Sequence, residues 1–530
     1  MPPSPIGPGA PESSGRTATV AASSRMALGG LEPKHNASPP RTIVCLGCAA
    51  ILQPMKVLIV LDHSAFFPYF ETVVTSLCED RHEVKVITRL GPKGDEEYRQ
   101  RMHSSIANHR HGSYEFTLRK RADSRRRLIR RLRGAFDYAV YFREQHTSPQ
   151  LAIRRLDRCP TLARRLVQSR AGRAVISRDG FLNLYRDLQA RIPADQQIVA
   201  QVAAEAPDVV VSSPFISPMC WDLEYVRAAR TLGVPTACAV ASWDYLSTKG
   251  AFHLMPDYVL VWNERLAEEA EVIHAIPRER TVVTGAAKFD CYFHLRPSLQ
   301  RARFCRRIGA DPARPYLLYL GSSQNIAGDE TDFVRDLSRT IASHPATAEA
   351  QIVVRPHPLN GAVWENFDEY GVAVFPRIAE RPDLEGSRAD YVNTLAHAAA
   401  AIGVNTSAFL EAAIADLPCL CVLSSRHRRG QAERGHFDHL LRGDFIETVP
   451  DLKGAAAALG EIIAGSDPRA EERERFVESF IRPCGIERPA GRSMADAILV
   501  AASGCRSHDA VFAGRLQASE RAHAQSHSKG

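Results

Sequence analysis

The chain has 530 residues and a net charge of +7, with 45% hydrophobic, 24% charged and 7% aromatic residues. That length predicts about two to four domains, and the composition is globular, which excludes a wholly disordered chain. No apolar stretch reaches the roughly 18 residues of a membrane-spanning helix.

The nearest approach is "TIVCLGCAAIL" (42–52), preceded by Arg41 and followed by no small-residue cleavage site, which argues against a signal peptide. Residues 1–54 are rich in Pro, Ser, Gly and Ala, and "MKVLIVLDHS" begins abruptly at Met55. They read as a disordered leader or, preferably, an over-extended gene start. The twelve cysteines are scattered, with Cys45-x-x-Cys48 isolated and Cys419-x-Cys421 in an apolar run. They predict reduced, mostly buried thiols in a cytoplasmic protein, and no metal site.

"KVLIVL" (56–61) suits a strand buried on both faces, as in a parallel sheet. A loop "DHSAFFP", an amphipathic helix and the strand "EVKVITR" complete a βαβ unit. Asp62 and His63 therefore fall at the carboxyl end of the first strand, the ligand side of an open α/β sheet. Residues 91–200 are Arg-rich and helical in pattern with no clear strand, and read as a helical insertion. The α/β rhythm resumes at "PDVVVSSPF" and continues through "VPTACAVASWDYLSTKG", "PDYVLVWN" and "RTVVTGAAKFD", closing a first domain at 55–290. A second α/β series covers 315–480: "PYLLYLGSS", "AQIVVRPHPLNG", "GVAVFPR", "AAAAIGVNTS" and "LPCLCVLS". Residues 481–503 read as a closing helical segment and 504–530 as a disordered tail.

Three strand ends of the second series carry phosphate-binding chemistry. Asn405, Thr406 and Ser407 stand where a strand gives way to a helix, whose N-terminus offers unpaired donors and partial positive charge; Glu411 follows one turn in, placed to accept from ribose hydroxyls. Thr or Ser capping of an ordinary helix would look the same. "VVRPHP" places Arg355, able to grip phosphate bidentately, and His357, a donor to phosphate or to a leaving group. Gly321, Ser322 and Ser323 form a third loop that could approach phosphate closely. Each is weak alone, and together they are what a nucleotide-diphosphate site needs. In the first series, "SWDYLSTKG" offers Trp243 and Asp244 to a sugar-like acceptor and Lys249 to neutralise charge; a Trp-packed turn is the plainer alternative. Asp62, His63 and Asp244 are the candidate general bases. The run "LRKRADSRRRLIRRLRG" (118–134) concentrates nine Arg and Lys residues. It is most simply a solvated helix face; contact with anionic lipid ranks next, and the lack of interleaved aromatics ranks nucleic acid below that.

"YLGSS…RPHP…GVNTSAFLEAAIADLPCL" resembles the donor half of bacterial surface-polysaccharide and CDP-glycerol glycerophosphotransferases of the GT-B fold. "VWNERLAEEAEVIHAIPRERTVVTGAAKFD", with Thr284, Gly285 and Asp290, resembles the end of their first domain. The resemblance implies an α/β fold of two Rossmann-like domains facing a cleft. It implies a metal-independent transfer without a cofactor: a sugar or glycerol phosphate passes from a nucleotide-activated donor to a cell-surface glycan or lipid-linked acceptor. It assigns Arg355, His357, Thr406 and Ser407 to the donor's phosphates, Ser322 and Ser323 to the lining of the same pocket, and Glu411 to the ribose or sugar. The spaced Glu pair of many retaining members and the His-Gly pair of the glycerophosphotransferases are absent, the latter replaced by Asp62-His63-Ser64. The expected location is the cytoplasm, at the inner membrane face if the Arg119–Arg133 run touches lipid. The alternatives are a nucleotide-sugar 2-epimerase, which needs no acceptor, and a non-catalytic nucleotide-sugar-binding protein.

Overall fold

The computed structural model describes residues 53–89, 96–117, 119–146, 149–216, 221–381, 385–431 and 437–503. The leader up to residue 52 and the tail from 504 lie outside them, as do Cys45 and Cys48. Two parallel sheets organise the described chain. The first contains β1 (Lys56–Leu61), β2 (Glu83–Thr88), β3 (Gly112–Phe116), β4 (Val209–Ser213), β5 (Thr236–Ala239), β6 (Tyr258–Val261) and β7 (Thr281–Val283). Its order is β3-β2-β1-β4-β5-β6-β7. The second contains β8 (Tyr316–Leu320), β9 (Gln351–Arg355), β10 (Val372–Val374), β11 (Ala400–Gly403), β12 (Cys419–Val422) and β13 (Ile446–Val449), in the order β10-β9-β8-β11-β12-β13. Both reverse direction beside their first strand, β1/β4 and β8/β11, and a doubly wound sheet binds ligands outside the carboxyl ends at such a point.

The central strands are apolar throughout because both faces are covered. In β1, Val57, Ile59 and Leu61 pack with the helices Glu71–Glu79 and Ala490–Ala502. Leu58 and Val60 face Ile198, Val202 and Tyr225 on the other side. Likewise Tyr319 of β8 meets Phe333 and Leu337, while Tyr316 and Leu318 join a core with Tyr391 and Phe409. The layout is that of a GT-B fold: two α/β domains and a last helix that crosses back to the first.

Two strands depart from the expectation. Residues 112–116 form β3 inside the stretch read as strandless, and β13 was not anticipated. Both are edge strands with mixed burial, so neither shows an apolar run. The helical insertion thus begins after β3. Its helices Arg126–Ala139, Thr161–Gln168, Arg170–Ile176 and Asp179–Ala190 share a small core of Phe136, Tyr138, Tyr141, Leu182 and Tyr185, closed by Ala251 from the loop after β5. Part of the basic run turns inward: buried Arg121 and part-buried Arg133 donate to the two oxygens of Glu224 at 3.2 and 2.6 Å. Six of the eight described cysteines are buried. Among the described residues no helix is long and apolar enough to cross a membrane.

Within the closing segment, only Ala490–Ala502 is one regular helix. Its start is received by Asp290, whose carboxylate accepts from the Ala490 and Gly491 amides at 2.8 and 2.7 Å. The same carboxylate takes the Thr72 hydroxyl at 3.0 Å and Arg482 Nη2 at 3.1 Å. The approach is close: a Cβ on Gly491 would lie 2.1 Å from Thr72 Oγ1. Gly285, at φ +86°, would meet Ala490 with a Cβ at 2.7 Å. Asp290→Ala strands a buried guanidinium and two helix amides, and should cost about 3–5 kcal/mol in urea unfolding, whereas Thr72→Val should cost about 1 kcal/mol. Equal losses from the two would contradict this ranking.

Candidate functional site

The loops at the carboxyl ends of both sheets meet around two adjoining cavities, of about 250 and 370 Å³. They share Tyr69, Lys288, His357, Thr406, Ser407 and Glu411 as common walls. The smaller is bounded on the first-sheet side by Ser242, Trp243, Asp244 and Lys249, and on the second by Ser323 and Asn405. The larger runs along Gly321, Arg355, Glu380 and Tyr391.

Arg355 ends β9, and its backbone carbonyl accepts from the Gly321 amide at 3.0 Å. Gly321 permits that closeness, since a Cβ there would stand 3.1 Å from both the Arg355 carbonyl and the His357 amide. The Arg355 side chain is buried with its guanidinium 4.4 Å above the Tyr391 ring. Among the described residues neither Nη atom has a hydrogen-bond partner. Burial pulls its pKa below the ordinary arginine value, opposed by Tyr391, Tyr292 and more distant acids. A guanidinium stays charged under such conditions, so a buried cation with two open donors faces the cavity.

His357 lines both cavities. Its Nδ1 accepts from the Leu359 amide at 3.0 Å, which leaves Nε2 to carry the proton as a donor. Burial lowers its pKa to about 4, so at neutral pH it offers a hydrogen bond, not a charge, and is no ready acid for a leaving group. Thr406 Oγ1 accepts from the Ala408 amide at 3.3 Å, and Ser407 is exposed at the head of the short helix Ala408–Ile414. Glu411 is buried on that helix, close enough to Tyr391 to help burial raise the tyrosine's pKa.

Several predicted residues are placed otherwise. Asp62 does not line the cavities. Its carboxylate is bound by Arg89, with Nη2 at 3.0 Å and Nε at 3.2 Å, because β1 and β2 end side by side. His63 likewise lies outside the cavity walls, its ring 4.5 Å from that of Phe66. Ser322 is fully buried beneath its loop, where its amide donates to Glu330 at 2.8 Å; only Ser323 reaches a wall. Asn405 donates from Nδ2 to the Gly430 carbonyl at 2.6 Å, a structural use. Trp243 is both wall and core, edge-on to His439 at 6.1 Å between centroids. Asp244 and Lys249 do line the smaller cavity, 3.4 Å apart, and Asp244 also accepts from the Thr248 hydroxyl at 3.1 Å.

The sequence reading missed Lys288, which lies over the Tyr69 ring at 5.3 Å and borders both cavities. A signal existed: Lys249 and Lys288 are the only two lysines between Lys120 and Lys453 in an Arg-rich chain, and both reach the cleft. Tyr69 and Arg154 were also missed; Arg154 crosses from the insertion to Asn325 of the second domain at 3.4 Å. Among the described residues no three His, Cys, Asp or Glu side chains gather as metal ligands.

No protein-family model and no curated protein matches the chain. Solved structures similar to it include a putative UDP-N-acetylglucosamine 2-epimerase from Listeria monocytogenes, with 10% identity, TM-score 0.49 and 86% of this chain and 98% of that chain covered. A glycosyltransferase from Rickettsia africae has 9% identity and TM-score 0.49 over 84% and 99%. The Neisseria meningitidis UDP-GlcNAc 2-epimerase bound to UDP-GlcNAc has 12% identity and TM-score 0.48 over 84% and 100%.

Burial also lowers His146 to about 4 and His274 to about 3. For all three histidines the folded pKa lies below the unfolded value near 6.5, so the unfolded chain takes up more protons on acidification. Their contribution to stability is complete above pH 6.5 and is lost as pH falls toward 4. The unfolding midpoint should drop across that window, less steeply in His357→Gln, and ¹⁵N imidazole NMR should show His357 with Nε2–H and a titration near pH 4. A His357 midpoint near 6.5 would contradict the assignment.

Proposed function

We propose that the protein is a transferase of nucleotide-activated donors, passing a sugar or a glycerol phosphate to a hydroxyl acceptor. The observation that carries this reading is Arg355, a buried guanidinium with two open donors lining the same cavity as His357 and Lys288. These groups suit the phosphates of the donor, with Glu411 turned to its hydroxyls. The acceptor lies on the first-sheet side, against Trp243, Asp244 and Lys249. In the transfer the acceptor oxygen bonds to the anomeric carbon (or to phosphorus), and the bond to the departing nucleotide phosphate breaks. Asp244 takes the acceptor proton, since Asp62 and His63 stand outside the walls. The charge on the leaving phosphate is met by Arg355, Lys288 and the His357 donor, an electrostatic stabilisation that requires no metal.

One observation favours a second reading. Asp244 and Glu411, carboxylates from opposite sheets, line the same small cavity, an arrangement that a one-substrate 2-epimerisation would also use. The two readings separate by incubation of a nucleotide sugar without acceptor: an epimerised product supports the second, and dependence on an added acceptor the first. Binding with neither turnover nor slow hydrolysis would indicate a non-catalytic binding protein.

A thermal-shift and calorimetric panel of CDP, UDP, GDP and their sugar or glycerol conjugates should yield one stabilising nucleotide. Arg355→Ala removes two charge-assisted hydrogen bonds worth roughly 1.5–3 kcal/mol, so its Kd should rise roughly ten- to a hundredfold in a folded variant. Unchanged affinity would overturn the donor site. Asp244→Asn should leave nucleotide affinity near that of the wild type while lowering kcat by roughly 10²–10⁴-fold.

A further inference from the structure

The insertion between β3 and β4 has a surface unlike the rest of the molecule. Residues 125–191 hold seventeen arginines, no lysine and five acids, a net charge of +12 in a chain whose total is +7. Twelve of those arginines are exposed. Four of the acids are exposed as well, and Asp179 among them is held by Arg143 at 2.6 Å.

Three helices of this insertion each expose a leucine pair spaced by four, and so on one face. Leu128 and Leu132 are 58% and 39% exposed, Leu162 and Leu166 71% and 60%, and Leu184 and Leu188 56% and 54%. The other faces of the same helices are already satisfied, by Phe136 and Tyr138, by Val167, and by Leu182 and Tyr185 in the insertion's own core. Of the fourteen large apolar side chains exposed among the described residues, eight lie in this insertion, so the apolar surface is concentrated there. Leucines spaced for burial but left in water, interleaved with guanidinium groups, fit neither a solvated face nor a purely electrostatic one.

We infer that this surface docks on a membrane bearing anionic lipid. Arginine binds headgroup phosphate bidentately, while leucines at helical spacing enter the boundary between headgroups and acyl chains. The charge identifies the occupant: an excess of +12 calls for a dense anionic surface, and the leucines call for one with an apolar layer beneath. The docking face also adjoins the cleft. Ile153 is 70% exposed, and its neighbours Leu151 and Arg154 line the smaller cavity. The inference stands apart from the nucleotide reading, because docking is measured without nucleotide.

The test is co-sedimentation of the full chain with phosphatidylcholine vesicles, with and without phosphatidylglycerol, at low and high salt. Binding is expected only with phosphatidylglycerol. It should fall at least about tenfold in the quadruple variant Leu162→Ser, Leu166→Ser, Leu184→Ser, Leu188→Ser, whose sites are exposed and whose circular dichroism should match the wild type. Equal binding to neutral vesicles would overturn the proposal. So would anionic binding that is fully salt-sensitive but indifferent to the leucines, or retention on polyglutamate that matches retention on vesicles; each would point to an acidic protein partner. A leucine-dependent dimer in sedimentation velocity, without vesicle binding, would assign the face to a second copy of the chain instead.

Discussion

The Asp290 carboxylate holds together parts of the chain that lie some two hundred residues apart. It takes a hydroxyl from the first helix, a guanidinium from the segment leaving the second domain, and the first two amides of the closing helix. A carboxylate in a low-dielectric site is tolerable only with its oxygens well supplied, and here four donors supply them. The geometry leaves no room for larger residues at Gly285 and Gly491, which is why the Thr-Gly…Asp run has the composition it does. Lys288 lies two residues before this carboxylate. The turn that receives the closing helix therefore also sets the height at which a cation enters the cleft.

The insertion works in two directions. Inward, Tyr141 and Arg155 donate to the Thr248 carbonyl at 2.5 and 3.3 Å, and Arg155 also reaches the Lys249 carbonyl. Asp137 accepts from the Ala251 amide at 3.1 Å. The loop carrying Asp244 and Lys249 is thus held from behind by buried polar groups, while the outer surface of the same helices is arginine and leucine. A helical unit with its own core can support both tasks because neither face depends on the other for packing.

Much of the fold was legible because parallel strands covered on both sides are largely apolar, and eleven of the thirteen strands fall in segments readable as strands on that ground. β3 and β13 escaped because these edge strands have mixed composition, "GSYEF" and "IETV", whereas the other two edges, β7 and β10, keep the apolar runs "TVV" and "VAV". The site was legible at the level of strand ends but not of side-chain direction. Asp62 is at a strand end and still turns to Arg89, and of the adjacent Ser322 and Ser323 the first is fully buried while the second borders the cavity. Such choices are made by neighbouring strands distant in sequence, which no local pattern records. Lys288 was visible only as a scarce lysine in a chain that otherwise uses arginine.

The return of the closing helix has a consequence for biosynthesis. Met494, Ile498 and Leu499 cover one face of the first sheet against Val57 and Ile59, yet they are made more than four hundred residues later. A nascent chain emerging amino end first must carry that sheet with an uncovered apolar face while the whole second domain is synthesised and folds. The first domain is accordingly completed last, and its maturation is coupled to the arrival of the carboxyl-terminal helix at Asp290. Separating the two domains at the linker would leave the first with the same bare face.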